Sequence, residues 1–125
     1  MKTKTSLLII SLLIGSLTAL HADESKTAVA TSAKQTITGE VIDVTCYVDH
    51  GAKGAKHADC AKTCIGKGLP AAILSNGTLY MALAPDHGNA STLLEKLGGE
   101  NVKVTGKVTQ KNGASFIEIA SVEKI

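Results

Sequence analysis

The chain contains few aromatic residues and no arginine. Its aromatics are Tyr47, Tyr80 and Phe116, tryptophan is absent, and all 13 basic residues are lysines. Proteins that recognise nucleic acids commonly stack bases on aromatic rings and contact guanine or phosphate with the paired donors of arginine. Because both features are missing, we expect no nucleic-acid binding.

Cysteine is also scarce, and its number is odd. All three cysteines and two of the four histidines fall within residues 46–64, CYVDHGAKGAKHADCAKTC. One intramolecular disulfide would leave one thiol over, so metal ligation, an intermolecular bridge or a free thiol must account for the remainder. This cluster is the main candidate for a functional site.

A long apolar run occurs once, at residues 7–20. It follows Lys2 and Lys4 and precedes small residues and the charged segment DESK. This order is typical of a secretory signal peptide, and the run is short for a bilayer span. We therefore predict a signal peptide at 1–22, a periplasmic or secreted protein, and no membrane span after signal removal.

Removal of the signal would leave 103 residues (125 minus 22), enough for one domain. Residues 23–34 are small and polar without an apolar period, and they indicate a flexible leader. A single domain is predicted at 35–125.

The pattern of this domain is mainly β. Alternating β-branched residues from Gln35 predict a first strand, and Asn-Gly pairs at 76–77 and 112–113 predict two hairpins. Leucines at helical spacing in 89–99 predict a helix between strands 3 and 4. The order predicts a small five-stranded OB-like barrel, with a short Cys/His-bearing helix after strand 1. An open five-stranded sheet with two packed helices would give the same pattern.

The predicted insert helix, KHADCAKTCI, places three potential ligands on one face. At about 100° per residue, His57, Cys60 and Cys64 share a stripe about 60° wide. Cys46, expected at the far end of the first strand, would supply a further sulfur.

Thiolates and imidazole together suit Cu(I) and Zn(II). The cluster of Cys46, His57, Cys60 and Cys64 therefore predicts an exported protein that binds, stores or transfers copper or otherwise zinc, exchanging it with a protein donor or acceptor. Paired carboxylates, a nucleophile–base pair and a phosphate-binding loop are not recognisable in the sequence, which favours a binding protein over an enzyme.

Two alternatives remain open. Small exported domains often contain a disulfide staple, and Cys46 with Cys60 or Cys64 is the favoured pairing because a bridge between Cys60 and Cys64 on one helix would be strained. The protein would then be an OB-like binding or structural module without metal. Thiol redox catalysis is less favoured because the cysteine spacing is C-x3-C, whereas thioredoxin-like enzymes use C-x-x-C.

The run GEVIDVTCYVDHGAKGAKHADCAKTCIGKGLPAAIL, followed by GTLYMAL, resembles small exported bacterial proteins of uncharacterised function. The motif is a Cys, a Gly-rich loop and then H-x2-C-A-x2-C-I-x-x-G-x-P. Separately, Cys60-x3-Cys64 with a histidine is similar to the copper site of Sco-type copper chaperones. That analogy implies copper as the metal and carries no homology.

Overall fold

The computed structural model describes residues 32–125. The predicted signal peptide at 1–22 and most of the predicted leader lie outside the described residues. The first strand begins at Ala33, two residues before the predicted start at Gln35.

Five strands make up 47% of the described residues, so the mainly β class is confirmed. They are β1 Ala33–Asp43, β2 Ala71–Ser75, β3 Thr78–Leu83, β4 Asn101–Lys111 and β5 Ala114–Lys124. Both Asn-Gly pairs form the predicted hairpin turns. Asn76 and Gly77 have φ angles of 47° and 79°, and Asn112 and Gly113 have 51° and 80°. Such positive values at both central residues match the twist of a two-residue hairpin.

The strands pair in a closed ring in the order β1-β2-β3-β5-β4. Four of the pairings are antiparallel, whereas β3 and β5 run parallel. The β1–β4 pairing closes the ring and matches Ala33 with Val108 at one end and Glu40 with Asn101 at the other. Each strand therefore has hydrogen-bonded neighbours on both sides.

Three short helices connect the strands: α1 Val44–His50, α2 Ala58–Gly66 and α3 Ser91–Leu94. Single 3-10 turns occur at Ala55–His57, Pro85–His87 and Glu95–Leu97. The helix bounds differ from the prediction. A helix that the sequence did not predict follows β1 directly, and the segment predicted as one helix between strands 3 and 4 is a four-residue helix followed by a 3-10 turn.

The core lies inside the ring and is covered by helix residues. On β4, Val102, Val104 and Val108 alternate with exposed residues and are buried. Ile65 of α2 and Leu94 of α3 are fully buried in the same cluster. The two helices therefore pack on the ring, and Ile65 connects the cysteine-bearing segment to the core. None of the helices in residues 32–125 has the length and apolar character needed to cross a membrane.

Candidate metal centre

Cys46 lies on α1, which corrects its predicted place at the end of the first strand. The strand ends at Asp43 because that residue caps the helix: its carboxylate accepts hydrogen bonds from the backbone N–H groups of Thr45 at 3.1 Å and Cys46 at 3.2 Å. Aspartate is one of the preferred residues at this position. The helix therefore begins at Val44, two residues before the cysteine, and Cys46 lies in its first turn.

Cys60 and Cys64 lie on successive turns of α2, as predicted. Ala61 and Ile65, each one position further along, are buried. Because residues four apart share a helix face, the buried pair fixes α2 on the ring and leaves the two cysteines at the edge of the contact. Cys60 is exposed, and Cys64 is half-buried.

The turn at Gly98 and Gly99 packs closely against α2. A Cβ added at Gly98 would lie 2.6 Å from the backbone nitrogen of Lys62, and one at Gly99 would lie 2.5 Å from the Ala58 Cα. The turn is held on β1, where the Gly99 N–H donates to the Val41 carbonyl at 2.7 Å. Only residues without a side chain allow this approach, so the two glycines set how closely the cysteine helix lies to the sheet.

The three sulfurs converge. All three Sγ atoms lie within 4.8 Å of one another, and the Cys46 and Cys60 sulfurs are 4.0 Å apart. With metal–sulfur bonds of about 2.3 Å, sulfurs around one ion are about 3.8 Å apart in tetrahedral geometry and about 4.0 Å in trigonal geometry. The observed triangle is close to the size of a metal–thiolate centre.

His57 is placed less closely than predicted. It belongs to the 3-10 turn before α2, and it is not among the mutually close donors found in residues 32–125, which are the three cysteines. It nevertheless lines the same cavity as Cys46 and Cys60. Its role as a ligand therefore stays a prediction.

The cavity beside the sulfurs is small, about 10 Å³. That volume accommodates about one water-sized sphere, so it suits a single ion and is too small for an organic cofactor. Its apolar walls include Ile42, Ala52 and Ala61, all of which are buried. The segment 51–57 that covers it is tied to β1 by a hydrogen bond from the Gly54 N–H to the Glu40 carboxylate.

Comparisons with known proteins do not add a family. No protein-family model matches the chain, and searches of curated proteins and of solved structures gave no match. The function must therefore be inferred from the site itself.

The electrostatics of the site raise the pKa values of the Cys46 and Cys64 thiols. Hydrogen bonding to Asp43 is the main cause that raises the pKa of the Cys46 thiol to about 12. Burial is the main cause that raises the pKa of the Cys64 thiol. Both shifts oppose an isolated thiolate, so a metal ion that binds these sulfurs must displace their protons.

Sequence reasoning missed two contributors to the site: Asp43 and the Gly98-Gly99 pair. Asp43 could have been found, because an aspartate just before an apolar-polar segment is a helix-start signal. In the sequence, the glycine pair is only the end of the predicted helical segment 89–99. Its contact with α2 joins residues about 40 apart in the chain and leaves no local pattern.

Proposed function

We propose that this protein is an exported soft-metal-binding protein whose cysteine cluster binds copper or zinc for storage or transfer. One observation carries the proposal: three cysteines from two helices bring their sulfurs within 4.8 Å of one another. All three are free thiols, so each has a sulfur available for a metal.

The donor set supports a soft or borderline ion. Thiolates favour Cu(I) and Zn(II), whereas Mg²⁺ and Ca²⁺ prefer oxygen ligands. A trigonal centre of Cys46, Cys60 and Cys64 suits Cu(I), which we place first. Zn(II) requires a fourth ligand, and His57, on the wall of the same cavity, is the residue proposed to supply it.

The accessibility of the cluster supports exchange of the ion with a protein donor or acceptor. Cys60 is exposed, so an incoming ligand can approach one sulfur while the other two retain the ion. A closed structural zinc site would have its ligands inside the fold. Storage or transfer therefore fits the site better than a purely structural role.

The wider proposals concern fold and location. The ring order, together with a helical segment between β3 and β4, supports the predicted OB-like barrel. Export to the periplasm or outside rests on the lysine-flanked apolar run at the amino terminus. The likeness to small exported bacterial proteins and the analogy with the copper site of Sco-type chaperones also rest on sequence alone and remain proposals.

A disulfide-stapled module without metal is the second candidate, and the 4.0 Å between the Cys46 and Cys60 sulfurs favours it. A disulfide bond is about 2.05 Å, so these sulfurs would need to move closer by roughly 2 Å. Thiol redox catalysis has no further support.

The test is metal and thiol analysis of the freshly purified full-length protein. We expect elemental analysis to find about one copper or zinc ion per chain, and Cys60→Ser to weaken Cu(I) or Zn(II) affinity on the order of a hundredfold or more. Equal metal affinity in variant and parent would contradict the ligand assignment. Two of three thiols lost to a disulfide, with no metal, would favour the stapled module.

Two histidine variants sharpen the experiment. His57→Asn should weaken Zn(II) binding by about tenfold because it removes the proposed fourth ligand. His87→Asn is the matched control, since His87 is also exposed but lines a different groove, beside β3 and α3. Equal effects of the two variants would remove His57 from the ligand set.

A further inference from the structure

Cys46 and Cys60 are well placed for a disulfide, and Cys60 is the exposed cysteine of the three. Their sulfurs are 4.0 Å apart and come from different helices. Cys60 and Cys64 are one turn apart on α2, where the two Cβ atoms point in nearly the same direction and a bridge would be strained.

The connecting segment can adapt to that bond. Gly51 and Gly54 lie between the two helices with positive φ angles, and an added Cβ at either would meet nothing within 4 Å. Both glycines therefore border open space, so no side chain beside them blocks a movement of α1 towards α2. The core contacts of α2 through Ile65 need not change.

From this geometry we propose that oxidation joins Cys46 to Cys60 in a reversible disulfide and thereby expels or excludes the metal ion, leaving Cys64 as a free thiol. The pairing itself is independent of the ion, whereas the expulsion rests on the proposed function. The site would then alternate between a metal-bound reduced form and a metal-free oxidised form.

The oxidant is a small disulfide, RSSR, and the exchange balances. The Cys60 thiolate, on the exposed cysteine, attacks one sulfur of RSSR, and the first RS⁻ leaves. Cys46 then gives its proton to the released RS⁻, attacks the Cys60 sulfur of the mixed disulfide and displaces the second RS⁻. Two protein thiols are oxidised, one RSSR is reduced to two RSH, and the two thiol protons end on the leaving groups.

The bridge removes two of the three sulfur donors from coordination. Cys64 and His57 remain, which is fewer than the three protein ligands of a typical zinc site. Conversely, coordination to an ion withdraws electron density from the thiolates and lowers their reactivity towards the oxidant. Metal binding and formation of the disulfide therefore oppose each other.

The test maps the bridge in the full-length protein. Metal-free, reduced protein is incubated with oxidised glutathione, the remaining thiols are alkylated, and tryptic peptides are analysed by mass spectrometry. Cleavage after Lys34, Lys53, Lys56, Lys62 and Lys67 puts each cysteine on its own peptide. We expect residues 35–53 linked to 57–62, with alkylated Cys64 in 63–67. A predominant link of 63–67 to either other peptide would overturn the proposal.

Two variants test which cysteines form the bridge and which of them attacks first. Cys64→Ser should retain the cross-link, since Cys64 takes no part in it. Cys46→Ser should lose it and accumulate glutathione on Cys60, because the second thiolate is absent. Failure of Cys64→Ser to form the link would contradict the assigned pair.

The expulsion is measured with zinc and a colorimetric zinc dye. One equivalent of Zn(II) should slow bridge formation at least about tenfold, and completed oxidation should transfer the zinc to the dye, with dithiothreitol restoring binding. Bridge formation with zinc still bound would overturn the expulsion. If the reduced protein does not bind zinc or Cu(I), the proposed function fails, and the peptide map still decides the pairing.

Discussion

The strand ring and the cysteine-bearing segment, residues 44–66, are held in different ways. Each strand of the ring is hydrogen-bonded on both sides, and its inward residues form one apolar cluster. The cysteine segment has three buried residues, Ala52, Ala61 and Ile65. Its position depends on those contacts, on the Asp43 cap and on the glycine turn at 98–99.

This difference separates the stability of the ring from the metal binding that we propose for the segment. Helix α1 can shift more easily than the ring, because it has no buried residue, whereas Ile65 holds α2 to the core. A site that exchanges metal requires such freedom, since its ligands must open to a donor or acceptor. Substitutions in the contacts that hold the segment should therefore best distinguish effects on metal binding from effects on the stability of the ring.

The largest effect is expected where the segment enters the core. Ile65→Ala removes a fully buried side chain from the central cluster and should lower the free energy of unfolding by about 2–5 kcal/mol. Val48→Ala, on the exposed face of α1 with 71% of its surface accessible, is the control and should change it by less than about 0.5 kcal/mol. Urea unfolding measures both; similar values would mean that α2 is not part of the core.

The glycine turn should give the next largest effect. In Gly98→Ala the new Cβ meets the α2 backbone at 2.6 Å, although its φ of −51° suits alanine. We expect a loss of about 1–3 kcal/mol and weaker metal binding, because α2 must move.

The matched control is Gly66→Ala. Its nearest new contact is a Glu95 carboxylate oxygen at 3.7 Å, which is an ordinary distance. Urea unfolding should find it neutral or slightly stabilising. Equal destabilisation by both alanines would show that the close approach at Gly98 is not the cause.

The helix cap before Cys46 should have a smaller effect. Asp43→Ala removes the acceptor for two backbone N–H groups and should cost about 1 kcal/mol. Asp43→Asn keeps one of the two acceptor oxygens and should cost less than Asp43→Ala. Thermal unfolding of the metal-free variants measures the difference, and an equal loss in both would show that one capping oxygen does not hold the start of the helix.

The raised pKa of the Cys46 thiol should make the stability of the protein depend on pH. Its pKa rises from 9.0 to about 12 in the folded protein, so the folded state holds the proton more tightly than the unfolded state. The resulting stabilisation is complete below about pH 9 and is lost as the pH rises towards 12. Metal-free parent should therefore lose melting temperature between pH 9 and 12 more steeply than Cys46→Ser. Parallel curves would contradict the shift.

The smallest effect is expected at Glu100, which pairs with Lys62 of α2 and with Lys124 of β5. Hydrogen bonding to Lys124 and then to Lys62 lowers the Glu100 pKa below 4.5. Its stabilisation is present above that pH and is lost as the pH falls through the folded-state pKa. The parent should melt higher than Glu100→Gln at pH 7 and equally at pH 2. If the difference in melting temperature were the same at pH 2 as at pH 7, the ion pairs of Glu100 would not be its cause.

Several features could be predicted from local sequence. The Asn-Gly turns and the alternation on β4 each depend on neighbouring residues. So does the shared placement of Cys60 and Cys64 on α2, since residues four apart always share a helix face. The convergence of Cys46 with these residues was predicted, but from the wrong element, because the helix start at Asp43 was not recognised.

The sequence by itself determined which strands, turns and cysteine helix form, because backbone preference and apolar period act over a few residues. Only the tertiary structure decided the pairing of β1 with β4, the contact of Gly98 and Gly99 with α2, and the distance of His57 from the sulfurs. These depend on residues far apart in the chain, whose approach is set by packing of the whole ring. Sequence spacing therefore located the cysteine cluster, and packing determined how closely its sulfurs approach.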